Sequence, residues 1–150
     1  MNGPVNFFQI TDRIGTAGQP TKEQLQELPD AGFTTVVNLA MHDSDNAIRE
    51  EGNIVASLGM SYIHLPVPFD APRAHHLKKF FGVMDILKEE KVFVHCAVNA
   101  RVSAFVYKYL TLKRNVSPEN AKTPLLLKWE PRMDDEWKKI LALQLEEIES

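Results

Sequence analysis

The chain of 150 residues contains one cysteine, Cys96, within the stretch His95-Cys96-Ala97-Val98-Asn99-Ala100-Arg101. The run Val92-Phe93-Val94-His95 predicts a strand that ends at the cysteine, and a helix is expected to begin near Arg101. Between a strand end and a helix start, loop amides and the helix N-terminus favour negative charge, and so favour a thiolate over a thiol. The planar guanidinium of Arg101 can grip two oxygens of a tetrahedral anion. A nucleophilic sulfur facing such a fork suits covalent transfer of an anionic group. An isolated intracellular cysteine is otherwise a small buried hydrophobe. What argues for chemistry is the context of strand, tight loop, arginine and helix at the carboxyl edge of a sheet, where α/β chains place their ligands.

These residues resemble the signature of the cysteine-dependent protein phosphatases, which is His-Cys, five residues, Arg, then Ser or Thr. Here four residues separate Cys96 from Arg101, Val102 follows the arginine, and a serine comes only at Ser103. Either the loop carries a deletion or the arginine is displaced by one position. Val102, Phe105, Val106, Tyr109 and Leu110 fall on one helical face. Tyr109-Leu110 resembles the aromatic-leucine pair that ends the family helix, one residue closer to the cysteine. That favours a deletion within the loop, with Arg101 equivalent to the family arginine and Val102 standing where the hydroxyl would be. Further segments resemble a bacterial branch of the dual-specificity-like phosphatases, a family also labelled sulfur transferase. They are Gly15-Thr16-Ala17-Gly18-Gln19-Pro20-Thr21, Ala31-Gly32-Phe33-Thr34-Thr35-Val36-Val37-Asn38-Leu39 and Tyr62-Ile63-His64-Leu65-Pro66-Val67. The resemblance implies a phosphatase-like fold, with the shortened Cys-x4-Arg loop as a branch feature, and a phosphorylated substrate, whether phosphoprotein or small phosphate ester.

Strand and helix signals alternate through the elements that must carry this loop. Phe7 to Ile10 is a short apolar run, and Gly15 to Pro20 reads as a turn. Thr21 can cap a helix with Gln24 in the capping-box position and Gly32 closing it. Thr34 to Leu39 is a strand, and Asp45 is expected to cap a helix to about Ser57. Ser61 to Leu65 is a third strand, followed by a stiff loop with Pro66, Pro68 and Pro72. A helix from about Arg73 to Lys88 buries Leu77, Phe80, Phe81, Met84 and Leu87, before the strand from Lys91 to Val94 that delivers Cys96. The expected fold is therefore α/β: one domain over residues 1–150, with a largely parallel sheet flanked by helices and a helical C-terminal extension over 122–150. After Leu112 the chain reads as helical: Pro118 opens a helix, Pro124 and Pro131 interrupt, and Asp134 begins a last helix bearing Trp137, Ile140, Leu141, Leu145 and Ile148. Such a stripe serves either the core or a homodimer.

Expelling an alkoxide at neutral pH needs a proton donor, which this family places on a loop upstream of the cysteine. Asp70 fits: it is the only carboxylate between Glu51 and Asp85, it follows the third strand, and prolines flank it. Asp43 and Asp45 are weaker candidates, and capping of the next helix is the alternative task for Asp70. Ala97, Val98, Asn99, Ala100 and Arg101 would bind the phosphate. His95 is expected to orient the loop, since its side chain points away from that of Cys96, and Asn99 to stand where phosphatases use glycine.

Two rivals remain open. Rhodanese-type sulfurtransferases use the Cys-to-Arg spacing found here, and an inactive domain could hold an oxyanion without turnover. With 44% hydrophobic and 25% charged residues and a net charge of −3, nucleic acid is not an expected partner. Neither an apolar run near 18 residues nor a signal-like N-terminus appears, which leads to a cytoplasmic reading with no membrane partner. The five histidines lack metal spacing, and neither metal nor cofactor is called for.

Overall fold

The computed structural model describes residues 3–150. Five strands form one sheet: β1 (Phe8–Thr11), β2 (Ile14–Ala17), β3 (Thr35–Asn38), β4 (Ser61–His64) and β5 (Val92–His95). Their order across the sheet is β1-β2-β5-β3-β4, with β1 antiparallel to β2 and every other pairing parallel. Neighbouring residues along the strands pack on opposite faces, as the pleat requires. Val37, Val92, Val94 and Cys96 enter one apolar cluster, and Val36 and Phe93 the other.

The smaller cluster is closed by α1 (Lys22–Glu27) and α2 (Glu51–Ser57), through Leu25, Leu28 and Val55. The larger is closed by α3 (Ala74–Ile86), α4 (Ala100–Lys113), α5 (Pro124–Trp129), α6 (Asp135–Ala142) and α7 (Leu145–Glu149). The result is a single-domain α/β fold with a mostly parallel sheet between helical layers. The C-terminal stripe belongs to this core, with Trp137, Ile140 and Ile148 buried. Among the described residues no helix is long and apolar enough to cross a membrane.

Several elements differ from their sequence expectation. The stretch read as a turn at Gly15 to Pro20 begins with β2, and the reversal lies earlier, where the Thr11 hydroxyl accepts from the amides of Arg13 and Ile14. Gly15 is there for space: a Cβ would lie 2.9 Å from the Phe33 ring. Thr21 and Gln24 do form the capping box of α1. Asp45 caps no helix; α2 begins only at Glu51, and residues 41–50 form successive turns. The last amphipathic segment is two helices rather than one. Buried Lys108 donates to the carbonyls of Leu141 and Leu143, both at 2.8 Å, and Gln144 restarts the chain with its amide on Glu147. The chain turns extended at Leu143, with ψ 138°, and Lys108 takes the two carbonyls that flank the break.

Trp137 joins the C-terminal layer to the loop after β4, being fully buried with its indole N–H on the Phe69 carbonyl at 2.8 Å. Trp137→Ala is expected to cost about 3–5 kcal/mol of stability in urea unfolding, the range for large aromatic truncation in a packed core. A loss below about 1 kcal/mol would show that this layer contributes little to the core.

Candidate functional site

The parallel register puts Ala17, Asn38, His64 and His95 in one row at the carboxyl ends of four strands. The connections after these strands all leave by this edge. Cys96, the next residue after central β5, is 1% exposed and a free thiol. Its amide donates to the Ala17 carbonyl at 3.2 Å.

Beyond it, the loop's carbonyls are held by its neighbours. Ala97 C=O accepts from the Gln19 amide and from Asn46 Nδ2, each at 3.0 Å, and Val98 C=O accepts from Asn6 Nδ2 at 2.9 Å. Among the described residues, no protein acceptor takes the amides of Ala97, Val98, Ala100 or Arg101. A run of committed carbonyls and unspent N–H groups at a helix start is suited to an anion. Gly18 is in close contact with this loop. A Cβ there would sit 2.7 Å from the Ala97 carbonyl oxygen and 2.9 Å from the Val98 Cα.

Asn99 turns the chain into α4 with φ 76°, a left-handed conformation that asparagine tolerates better than most residues. Its Nδ2 donates to the Asn6 carbonyl at 2.8 Å and to the Thr16 hydroxyl at 3.1 Å. Its Oδ1 accepts from Ser103, whose hydroxyl also contacts that of Thr123 at 2.6 Å. Ser103 is thus committed to holding Asn99. Val102 is fully buried among apolar neighbours.

Arg101 is 6% exposed. Its Nη1 donates to the Val67 carbonyl at 2.9 Å, and its Cζ lies 5.9 Å from the centre of the Phe69 ring. Nε is buried with no protein partner. One guanidinium nitrogen is anchored while another donor is left unused, a costly state for a buried cation unless an acceptor arrives.

The Val67 carbonyl brings the loop after β4 to the site. Val67 N–H is bonded to Leu39, and Pro68 to Ala71 form a turn closed at 3.2 Å, with Asp70 in its third position. Asp70 is exposed, and no side-chain hydrogen bond ties it among the described residues. It does not cap α3, whose first free amide, that of Arg73, is taken by His76 Nδ1 at 2.9 Å. Asp43 and Asp45 are exposed in the turns after β3, near Asn46, which reaches the Cys96 loop.

Residues that sequence reasoning passed over complete the surroundings. Glu51, to which the sequence reading gave no role, is 2% exposed, and its Oε2 is hydrogen-bonded to Nε2 of fully buried His95. Gln19 donates to the other carboxylate oxygen at 2.7 Å. Val67 acts through its backbone carbonyl, which no side-chain pattern reveals, and Asn6 through both its carbonyl and its side-chain amide. The signal that was available is Gly18-Gln19-Pro20, whose first two residues press on the loop and on Glu51. A cavity of about 350 Å³ lined by Arg13, Lys88 and Arg114 lies at the opposite end of the strands, away from Cys96. No group of three or more potential metal ligands occurs among the described residues.

Residues 10–139 match the family model described as "DSP-PTPase phosphatase fused to NAD+ Kinase". The chain belongs to the cysteine-based, dual-specificity-like protein tyrosine phosphatase superfamily. A crystal structure named "Putative phosphatase (DUF442)" from Shewanella putrefaciens CN-32 is 31% identical, with a TM-score of 0.83 over 92% of this chain and 89% of that one. Two structures at lower identity share the fold. The core catalytic domain of "PP-IP phosphatase SIW14" from S. cerevisiae, in complex with citrate, is 16% identical with a TM-score of 0.74, over 97% of this chain and 89% of that one. TpbA of P. aeruginosa, in complex with pTyr, is 15% identical with a TM-score of 0.72, over 97% and 88%. No curated protein sequence matches the chain significantly. Membership of the phosphatase superfamily favours neither the sulfurtransferase nor the inert scaffold.

The left-handed turn at Asn99 is directly testable. Asn99→Gly keeps the conformation and loses the side-chain bonds, whereas Asn99→Ala loses both, so alanine should be the less stable variant by about 1 kcal/mol in urea unfolding. Equal stabilities would show that the positive φ imposes no cost there.

Proposed function

We propose that the whole chain acts as one phosphatase domain that hydrolyses phosphate monoesters through a phosphocysteine at Cys96. The Cys96 thiolate attacks phosphorus and forms the S–P bond as the ester P–O bond breaks. The Asp70 carboxyl gives its proton to the departing oxygen. Water then attacks phosphorus, its proton passes to the Asp70 carboxylate, the S–P bond breaks, and inorganic phosphate leaves with the thiolate restored. Amides of residues 97 to 101 and the Arg101 guanidinium stabilise the equatorial oxygens in both steps. No step calls for a metal.

The observation that carries this reading is the unspent donor set around the single cysteine: four loop amides and the buried Nε of Arg101. Anchoring of Arg101 to Val67 adds a second support, because it joins the oxyanion site to the loop that carries Asp70. The substrate is a phosphorylated protein or small ester, in keeping with the relative that carries pTyr.

Cys96→Ser should abolish turnover while still binding phosphate or vanadate, because the hydroxyl fits the space but lacks thiolate reactivity. Turnover near the wild-type rate would remove Cys96 from the mechanism. Arg101→Lys should lose far more than threefold in kcat/KM, since an ammonium cannot make two parallel bonds to the anion. A variant within about threefold, roughly 0.6 kcal/mol of barrier, would show that the fork is not used.

Asp70→Asn should slow an alkyl phosphate, with its poor leaving group, by about a hundredfold or more. An activated aryl ester, whose phenolate departs unaided, should suffer much less. Equal rates for both ester classes would take the acid role from Asp70 and move the test to Asp43 and Asp45. In a sulfurtransferase the same change would leave thiosulfate cleavage untouched, because sulfite departs without a proton.

A further inference from the structure

Glu51 lies on α2, on the opposite face of the sheet from the Cys96 side chain, yet its contacts lead to the nucleophile through two hydrogen bonds. His95 Nδ1 lies 3.2 Å from the Cys96 carbonyl, and a carbonyl can only accept, so Nδ1 carries a proton. His95 Nε2 meets Glu51 Oε2, and that contact must hold a further proton on one atom or the other. The imidazole and carboxyl together are therefore neutral in net charge, whichever of them carries it. Gln19 Nε2, which also donates to the Pro20 carbonyl at 3.0 Å, fixes the second carboxylate oxygen at 2.7 Å.

Burying a carboxyl group costs free energy that an apolar residue at the same position would not incur. Burial also acts on Tyr62 nearby, whose hydroxyl it pushes up against the lowering from the hydrogen bond with Asn38. The packing of the smaller apolar cluster gives no reason for an acid at this position. The tautomer of His95 does.

We propose that Glu51 is a positioning residue: by holding His95 with Nδ1 protonated against the Cys96 carbonyl, it keeps the loop in its anion-receiving conformation. The proposal rests on the reading of Cys96 as nucleophile. Without the acid, Nε2 can keep the neutral ring's proton, and an unprotonated Nδ1 would face the carbonyl oxygen lone pair against lone pair.

Two substitutions separate this role from plain structural support. Glu51→Gln reproduces the pattern, because its amide nitrogen can donate to His95 Nε2 while its oxygen accepts from Gln19. Glu51→Leu cannot. Both variants and wild type are assayed for kcat and KM with an aryl phosphate. The rate of Cys96 alkylation by iodoacetamide is measured without substrate, a clean readout because the chain has one cysteine.

Glu51→Leu should lose about a hundredfold in kcat, the cost of a small misplacement of reacting groups, and its alkylation should slow in parallel. KM should stay within about threefold, and Glu51→Gln should keep both rates within about threefold of wild type. A folded leucine variant with wild-type kcat and alkylation would overturn the proposal. So would a glutamine variant that falls as far as leucine. Should Glu51→Leu fail to fold, Gln19→Met removes the donor that fixes the carboxylate and should lower kcat and alkylation in the same direction; wild-type rates there would equally overturn it. If the wild-type protein hydrolyses no phosphate ester, the alkylation rates still test Glu51, so the two readings fail separately.

Discussion

Strand β5 is hydrogen-bonded on both sides by parallel neighbours, and the rest of the site depends on that constraint. Because β2, β3 and β4 run with it in one register, four chain segments must leave the sheet at the same edge. The Ala17 carbonyl then meets the Cys96 amide, the Leu39 amide meets the His95 carbonyl, and the Val67 amide meets the Leu39 carbonyl. The exits are stitched to one another before any side chain takes part. A one-residue slip of β5 would exchange the faces of His95 and Cys96, putting the thiol towards α2 and the imidazole into the larger core.

On this frame the Cys96 loop is held by its carbonyls and left open at its amides. Asn6, Gln19 and Asn46 hold the carbonyls of Ala97 and Val98 with three bonds, which fix the loop with its amides turned to no protein acceptor. Each such bond is worth about 1 kcal/mol, and an orphaned buried partner costs about 1–3 kcal/mol. The same logic applies to Arg101, with Nη1 committed to Val67 and Nε uncommitted. The shortened loop thus leaves four amides and the Arg101 Nε uncommitted beside Cys96, the arrangement on which the proposed anion site rests. Its departure from the family pattern lies just past the arginine: Val102 is core, and the Ser103 hydroxyl is occupied by Asn99 and Thr123.

The alternation of strands and helices, the α1 capping box, the buried face of α3 and the Cys96 loop were legible because they rest on local chemistry: capping hydroxyls, apolar periodicity and a strand-to-helix junction. Asn99 was marked only as the residue standing where phosphatases use glycine; its left-handed φ of 76° comes from the fold. Strand β2 was not legible, since Gly15 reads as a turn residue until the Phe33 ring is seen packed on it. Nor was the break between α6 and α7, where Leu143 is extended and the flanking carbonyls meet Lys108, remote in sequence. Glu51 was hidden most completely. It follows Glu50 and precedes Gly52, and only the tertiary fold shows that one acid of the pair faces His95 while the other faces solvent.

A phosphoryl group on Cys96 is the central claim, and loss of a hydroxyl beside the arginine gives a way to catch it. With Val102 unable to assist departure of the thiolate, hydrolysis of the S–P bond should be the slow step for an activated ester, and the intermediate should accumulate. Rapid acid quench of the wild-type protein turning over an aryl phosphate, coupled to peptide mass spectrometry, should find one phosphoryl group on the Cys96 peptide, in an amount matching the initial burst of phenolate. A burst with Cys96 unmodified, or steady hydrolysis with the phosphoryl group on another residue, would contradict it.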